Sequence, residues 1–186
     1  MNKGEEVMLK ELIKVNMRPF ELSDAQKVVD LFNARSQYLY GWDDTDLDDM
    51  MNDWTAPGFD PQNMARVVED SQGKIIGYID LYDLSEPHVI KYAWGFLHPD
   101  AWNEALYRDM LTWSEECARE RLPLAPQGTQ VVIHHGSSSK EKRRNSALRA
   151  YGYKLVRNYY RMMIEFDQPP QKPDMPEGLR IETIDM

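Results

Sequence analysis

Residues 89–97, Val-Ile-Lys-Tyr-Ala-Trp-Gly-Phe-Leu, form an almost unbroken apolar run, and His98-Pro99-Asp100 turns it into a helical pattern over residues 101–121. Pro123 and Pro126 close that helix, and residues 130–134 read as a second buried strand. Two buried strands joined by a long helix belong to a sheet with parallel neighbours and helices packed on it. A meander precedes this unit. Residues 65–69, the turn Asp70-Ser71-Gln72-Gly73 and residues 74–83 read as a hairpin leading into the apolar run. The expected fold class is α/β (α+β), with a central mixed sheet of about six to seven strands flanked by helices.

The other elements are shorter. Ile13, Val15 and Met17 alternate with Lys14, Asn16 and Arg18, a half-buried strand ended by Pro19. Ser23 and Gln26 read as a capping box, and Ala25, Val28, Val29, Leu31 and Phe32 place a first helix over residues 24–35. Residues 36–42 read as an aromatic loop and the acidic residues 43–54 as a short second helix, with Thr45 and Asp48 at its start. Residues 140–150 read as a last helix, and residues 153–166 as one or two final strands. Gln168-Pro169-Pro170-Gln171-Lys172-Pro173 opens a stiff, linker-like stretch. The alternation of residues 178–184 echoes the first strand. The expected organisation is a domain over residues 1–166, a linker over 167–177, and over 178–186 the opening strand of a second domain. That last strand could instead pair with an edge of this sheet, within the chain or across a dimer.

Composition narrows the function classes. Acidic residues outnumber basic ones, 31 to 22, for a net charge of −9. Such a surface repels phosphate backbones on average, which argues against nucleic acid or an anionic membrane as partner. One cysteine, Cys117, excludes an intramolecular disulfide and a cysteine-based zinc site. No apolar run approaches the roughly 20 residues that span a bilayer, and the charged start Met1-Asn2-Lys3-Gly4-Glu5-Glu6 lacks a secretion-signal core. The expected location is the cytoplasm. Asp44, Asp46 and Asp48 have the spacing of a calcium loop, but Asp49 stands where glycine is needed and Thr55 where glutamate is needed. His134 and His135 are adjacent on a strand and point to opposite faces, so they cannot share a metal. No metal is expected.

Leu97-His98-Pro99-Asp100 with its long helix, then a strand, then a helix ending Leu148-Arg149-Ala150-Tyr151-Gly152-Tyr153, resembles the GNAT family of acyl-CoA-dependent N-acetyltransferases. The order of elements matches as well, over residues 12–166. The proline linker with a further strand is similar to the tandem arrangement of the mycothiol synthase type. The resemblance implies acetyl-CoA as cofactor, a small amine as substrate, and a second GNAT domain or a homodimer partner.

In the family, Arg/Gln-x-x-Gly-x-Gly/Ala opens the long helix, so that bare backbone N–H groups and the helix N-terminus meet a diphosphate. Aligned from Pro99, those positions hold Trp102, Ala105 and Tyr107, with Glu104 beside them. The groove residues that the resemblance implies are Phe96, Leu97, Trp102, Asn103, Ala105, Leu106 and Tyr107. A bulky aromatic, an added methyl and a negative charge each oppose the diphosphate, so the resemblance implies a degenerate cradle that does not bind acetyl-CoA. A displaced mode through Lys140, Lys142, Arg143 and Arg144 is the alternative. The family's general-acid tyrosine falls on Leu148, which donates no proton. Tyr151 is either a substitute or a packed helix-end aromatic. No catalytic residue is assigned. Asp80 and Asp83 are the carboxylates nearest the apolar strand, both expected at a strand end in water. Gly95 either opens a bulge or packs closely inside the sheet. Tyr38, Tyr40, Trp42 and Trp54, with Asp80, are candidates for a substrate pocket, the aromatics equally for packing. The expected function is family-level acyl transfer to an amine, with this half a non-catalytic support for a catalytic partner domain. The alternative is an active acetyltransferase with an altered cofactor loop.

Overall fold

The computed structural model describes residues 15–182. Ile13 and Lys14 of the expected first strand, the charged start of the chain, and Thr183 and Ile184 of the expected last strand lie outside them. The chain divides into two compact units, Met1–Lys154 and Leu155–Met186.

The first unit is a sheet between two layers of helix. Its elements are β1 (Asn16–Pro19), α1 (Ala25–Tyr40), α2 (Leu47–Trp54), α3 (Pro61–Met64), β2 (Ala65–Glu69), β3 (Ile75–Tyr82), β4 (Ile90–Leu97), α4 (Glu104–Glu120), β5 (Val132–His135) and α5 (Lys142–Tyr151). The strands lie in chain order, β1-β2-β3-β4-β5. The first three pairings are antiparallel and β4–β5 is parallel, as the crossover through α4 requires. The sheet is mixed, as expected, with five strands among the described residues where six to seven were expected. Among the described residues, 153–166 carry no assigned strand. Their alternation specifies an apolar face, whereas a strand also needs a neighbour for its backbone.

The period of the sequence explains both faces. Phe20, Val28, Leu31 and Trp54 from the α1–α2 side pack on Tyr78 and Phe96. Leu106, Met110, Leu111 and Leu148 from α4 and α5 pack on Ile76, Ile79 and Leu97. β4 is flanked on both edges, yet its first half is covered on one face only. Ile90, Tyr92 and Trp94 are exposed while Lys91 and Ala93 are buried. The apolar run therefore holds an alternating strand that its aromatics conceal.

Helix ends account for the other differences. The capping box is Glu21 with Asp24, not Ser23 with Gln26: it opens a 3-10 turn over Leu22–Asp24 that leads into α1, and the Asp24 carboxylate accepts from the Glu21 N–H at 3.1 Å. α1 does not stop at Arg35. Nothing between Ser36 and Tyr40 breaks a helix, and the end comes at Gly41, whose φ of 87° suits glycine and whose N–H bonds back to the Gln37 carbonyl. The expected aromatic loop is thus largely the last turn of α1. Asp46, not Thr45, caps α2 by accepting from the Asp49 N–H at 2.9 Å. Asn103 caps α4 in the same way through the Leu106 N–H at 3.0 Å.

The second unit, described to residue 182, has no helix or strand. A turn at Gly178 is closed by the Leu179 N–H on the Pro176 carbonyl at 3.1 Å, and Arg180 pairs with Glu182 at 2.7 Å.

Candidate functional site

β4 and β5 pair from Ile90–Val132 to Ala93–His135 and then part. Open α/β sheets bind ligands outside the carboxyl ends of parallel strands, where such neighbours diverge. Here a group of buried side chains stands in the gap. Gly136 lies so close to the Trp94 ring that a Cβ there would collide with it. Arg144, 2% exposed, donates from Nε to the Tyr107 hydroxyl at 2.8 Å, from Nη1 to Glu141 at 3.0 Å, and from Nη2 to the Gly136 carbonyl. Arg35 crosses from α1 and clasps both oxygens of Glu141, at 2.9 and 2.6 Å, with its guanidinium 5.0 Å from the Phe96 ring centre. The Ser138 N–H completes the set at 3.0 Å. Burial works against the Glu141 carboxylate, but Arg35 and Arg144 outweigh it and hold it at about 2. This knot ties α1, α4, α5 and the β5–α5 loop through one carboxylate.

Tyr107 is the aromatic end of the knot. It is 0% exposed and its ring lies 5.2 Å from that of Trp102. The Leu106 and Tyr107 N–H groups at the start of α4 are taken by Asn103, through its side chain and its carbonyl. A diphosphate cradle needs open space and free amides at this turn. A buried, hydrogen-bonded tyrosine takes that space at position 107, so the side chain there does not fit the small-residue turn that the family motif uses for a diphosphate. Phe96 and Leu97 are buried core residues, and Ala105 is half-buried. Leu148 is core. The Tyr151 hydroxyl pairs with Thr112 Oγ1 at 3.0 Å, the packed-aromatic reading.

Beside the knot a cavity of about 280 Å³ opens between the end of α1, Trp102 and the start of α5. It is walled by Tyr38, Leu39, Trp102, Lys140, Lys142 and Arg143. All four members of the basic cluster line it, together with Arg35 and Glu141 of the knot and Phe96 and Leu97 at the end of β4. Tyr38 and Trp42 are exposed. Tyr40 stacks on Trp42 at 5.6 Å and its hydroxyl donates to Ser138 Oγ at 2.7 Å. Trp54, 1% exposed, belongs to the packed core and not to a pocket wall. Its Nε1 donates to the Tyr78 hydroxyl at 2.7 Å.

Asp80 and Asp83 are buried, not in water at a strand end. Asp80, 3% exposed, accepts from the Tyr78 hydroxyl at 2.9 Å and from the Trp94 N–H at 3.2 Å. Burial pushes it up to about 7 despite these bonds. Asp83 meets Lys91 at 2.6 Å, His88 at 3.0 Å and Arg121 at 3.2 Å. Burial opposes its charge, and Lys91 and His88 still hold it below the usual carboxylate range. Gly95 packs closely: a Cβ there would stand 2.5 Å from Ile79, and the β3–β4 register is continuous past it. His134 and His135 face opposite ways, against Tyr92 and Tyr153 respectively. Among the described residues no group of three His, Cys, Asp or Glu side chains could hold a metal ion, and no helix is long and apolar enough to cross a membrane.

Sequence reasoning missed Arg35 and Glu141. Arg35 stands four residues after Leu31 and seven after Val28, on the apolar stripe of α1 where a charge requires a buried partner. Glu141 is the one acid within Lys-Glu-Lys-Arg-Arg.

No protein-family model and no curated protein sequence matches the chain. Solved structures do. A GCN5-related N-acetyltransferase from Sphaerobacter thermophilus is similar with a TM-score of 0.74 and 25% identity, over 89% of this chain and 51% of that one. The chain thus spans about half the length of that protein. A putative acetyltransferase of Salmonella typhimurium, solved with acetyl-CoA, is similar over 77% of this chain and 81% of its own, with a TM-score of 0.59 and 15% identity. A GNAT-superfamily phosphinothricin acetyltransferase of Sinorhizobium meliloti, in complex with acetyl-CoA, covers 76% of each chain with a TM-score of 0.56 and 13% identity. The fold is that of the GNAT acetyltransferases.

Proposed function

We propose that this chain is a GNAT-fold domain that has given up its own acetyl-CoA cradle and supports a catalytic domain that transfers an acyl group to a small amine. The observation that carries this reading is the buried Tyr107–Arg144–Glu141–Arg35 knot, which stands in the gap where β4 and β5 part. The span of about half of the Sphaerobacter protein supports a tandem arrangement, in which the second domain follows the proline-rich stretch after residue 167. In that role the chain's own residues hold a rigid scaffold and move no proton.

Isothermal titration calorimetry with acetyl-CoA and with CoA tests it. No saturable heat is expected from the folded chain. Tight binding that survives Lys142→Ala with Arg143→Ala refutes it. The combined variant Trp102→Arg, Ala105→Gly, Tyr107→Gly reopens the loop and should gain measurable CoA affinity if the loop alone was lost.

Two observations favour a second reading, an active acetyltransferase with a displaced cofactor. The cavity beside the knot carries Lys140, Lys142 and Arg143, and the buried Asp80 carboxyl, poised near 7, is matched to accepting a proton at neutral pH. A thiol-release assay against a panel of amines separates the two: turnover above background in the isolated chain favours the enzyme.

A further inference from the structure

The knot does not balance its own charge. Two buried guanidinium groups, Arg35 at 7% and Arg144 at 2% exposed, share the single carboxylate of Glu141. Among the described residues neither arginine meets a second carboxylate, so one positive charge is left over. The bonding places it on Arg35. Arg144 commits its three nitrogens to Tyr107, Glu141 and the Gly136 carbonyl. Arg35 turns Nε and Nη2 to Glu141, and its Nη1 has no acceptor among the described residues. The Phe96 and Trp94 ring centres lie 5.0 and 5.7 Å from the guanidinium carbon, which leaves the Nη1 edge as its open side. A guanidinium taken this far from water needs both its charge and its donors met.

The cavity of about 280 Å³ opens at this group, with Arg35 in its wall. Glu141 also borders it, but the Glu141 oxygens are already taken by Arg35, Arg144 and the Ser138 N–H. Lys142 and Arg143, both exposed, and Lys140, held by the Leu39 carbonyl at 2.9 Å, make the rest of the charged wall positive. α5 starts there with no side-chain cap, so its first N–H groups add to that potential. The remaining wall is apolar and includes Leu39, Leu97, Pro99 and Trp102. We propose that the cavity binds an organic monocarboxylate with a short apolar or aromatic body, its carboxylate on the free Nη1 edge of Arg35 and its body against Leu39, Leu97 and Trp102. One anion matches one surplus charge, and a carboxylate on a guanidinium is a strong, charge-assisted pair. An amine would meet four cations there, and inorganic phosphate would leave the apolar wall wet. The volume sits just below the usual range of small-molecule sites, roughly 300–1,000 Å³, which keeps the body short. This goes beyond the supporting role, because it gives the domain a ligand of its own, and it holds whether or not the diphosphate cradle is lost.

Isothermal titration calorimetry of the full chain with 3-phenylpropanoate, 3-phenylpropanamide, acetate and inorganic phosphate tests it. The expected result is saturable binding of 3-phenylpropanoate, roughly tenfold tighter than the amide, which lacks the charge, and than acetate or phosphate, which lack the body. In proton–nitrogen correlation spectra the Trp102 indole signal, identified with Trp102→Phe, should move on saturation. That of Trp113, stacked against Arg66 at 4.9 Å, should not. Arg35→Lys keeps a cation for Glu141 but has no Nη1 edge, and should weaken binding roughly tenfold. Leu39→Trp fills the cavity with every charge in place and should abolish binding; it decides the matter even where Arg35→Lys does not fold. Absence of saturable binding, an amide or phosphate that binds as tightly, a Trp102 signal that stays still, or unchanged affinity in either folded variant overturns the site. CoA is titrated into the same samples. Its binding refutes the supporting role proposed for the domain, whereas the carboxylate site stands or falls on the other titrations.

Discussion

Glu141→Gln preserves the size of the side chain and one carbonyl acceptor but removes the charge on which the knot depends. Arg35 and Arg144 are then two buried cations without a counter-charge. In the folded chain Glu141 is held at about 2, whereas an unfolded glutamate titrates at about 4.3. That gap corresponds to about 3 kcal/mol at neutral pH. Removing one partner of a buried ion pair costs about 3–5 kcal/mol in other proteins, so two routes agree. Because the folded value lies below the unfolded one, the stabilisation is complete above about pH 4.3 and is lost as pH falls through about 2. Urea unfolding followed by tryptophan fluorescence should give a wild-type advantage of about 3 kcal/mol at pH 7 and at pH 5, and about half of that at pH 3. Asp80 titrates in both proteins and cancels from the difference. A difference below about 1 kcal/mol at pH 7, or one that is no smaller at pH 3, refutes the argument.

Asp80→Asn reports the opposite sign. Burial raises this carboxyl to about 7, above its unfolded value, so its contribution is complete below about pH 4 and is lost as pH rises to about 7. Wild-type stability should decline over that window, and in Asp80→Asn the decline should flatten; equal slopes in urea titrations contradict it. Gly95→Ala places a methyl 2.5 Å from Ile79 and should destabilise by about 1–3 kcal/mol through overpacking. An unchanged denaturation midpoint would show instead that β3 and β4 separate easily there.

The fold was legible because its signals are local and periodic. The hairpin through Asp70–Gly73, the helix after Pro99 and the strand before Gly136 each carry their own pattern. The errors came where the deciding contact is distant or the pattern ambiguous. Residues 36–40 are aromatic and could be loop or helix until Gly41 marks the stop. Residues 153–166 have a strand's alternation, but from Leu155 on they lie in a second unit whose described residues offer them no strand as neighbour. Asp80 reads as a water-facing carboxylate until Tyr78 and Trp94 are found on it. Trp102, Ala105 and Tyr107 could be set against a cofactor-loop motif, because a motif fixes positions. The knot on Tyr107 could not be read, since Arg35 and Glu141 stand 106 residues apart in the chain.

On the proposed reading, the knot also explains why the loop alone is an incomplete account of the lost cradle. A tyrosine hydroxyl buried at position 107 requires a partner, and Arg144 supplies one. A buried guanidinium requires a counter-charge, which Glu141 provides. Glu141 has a second oxygen to satisfy, and Arg35 reaches it from the opposite layer of helices. Each residue makes the next necessary, so the four form one solution rather than four separate changes. Reversing Tyr107 by itself removes one link and leaves Arg144 still tied to Glu141 and Gly136. Its guanidinium would then face the reopened turn with one free N–H. The triple loop variant therefore gains an anion donor along with its space, and its affinity for CoA should fall when Arg144→Met is added. If affinity is unchanged by Arg144→Met, the diphosphate is held by main-chain amides alone, and the knot is a neighbour of the cradle rather than its replacement.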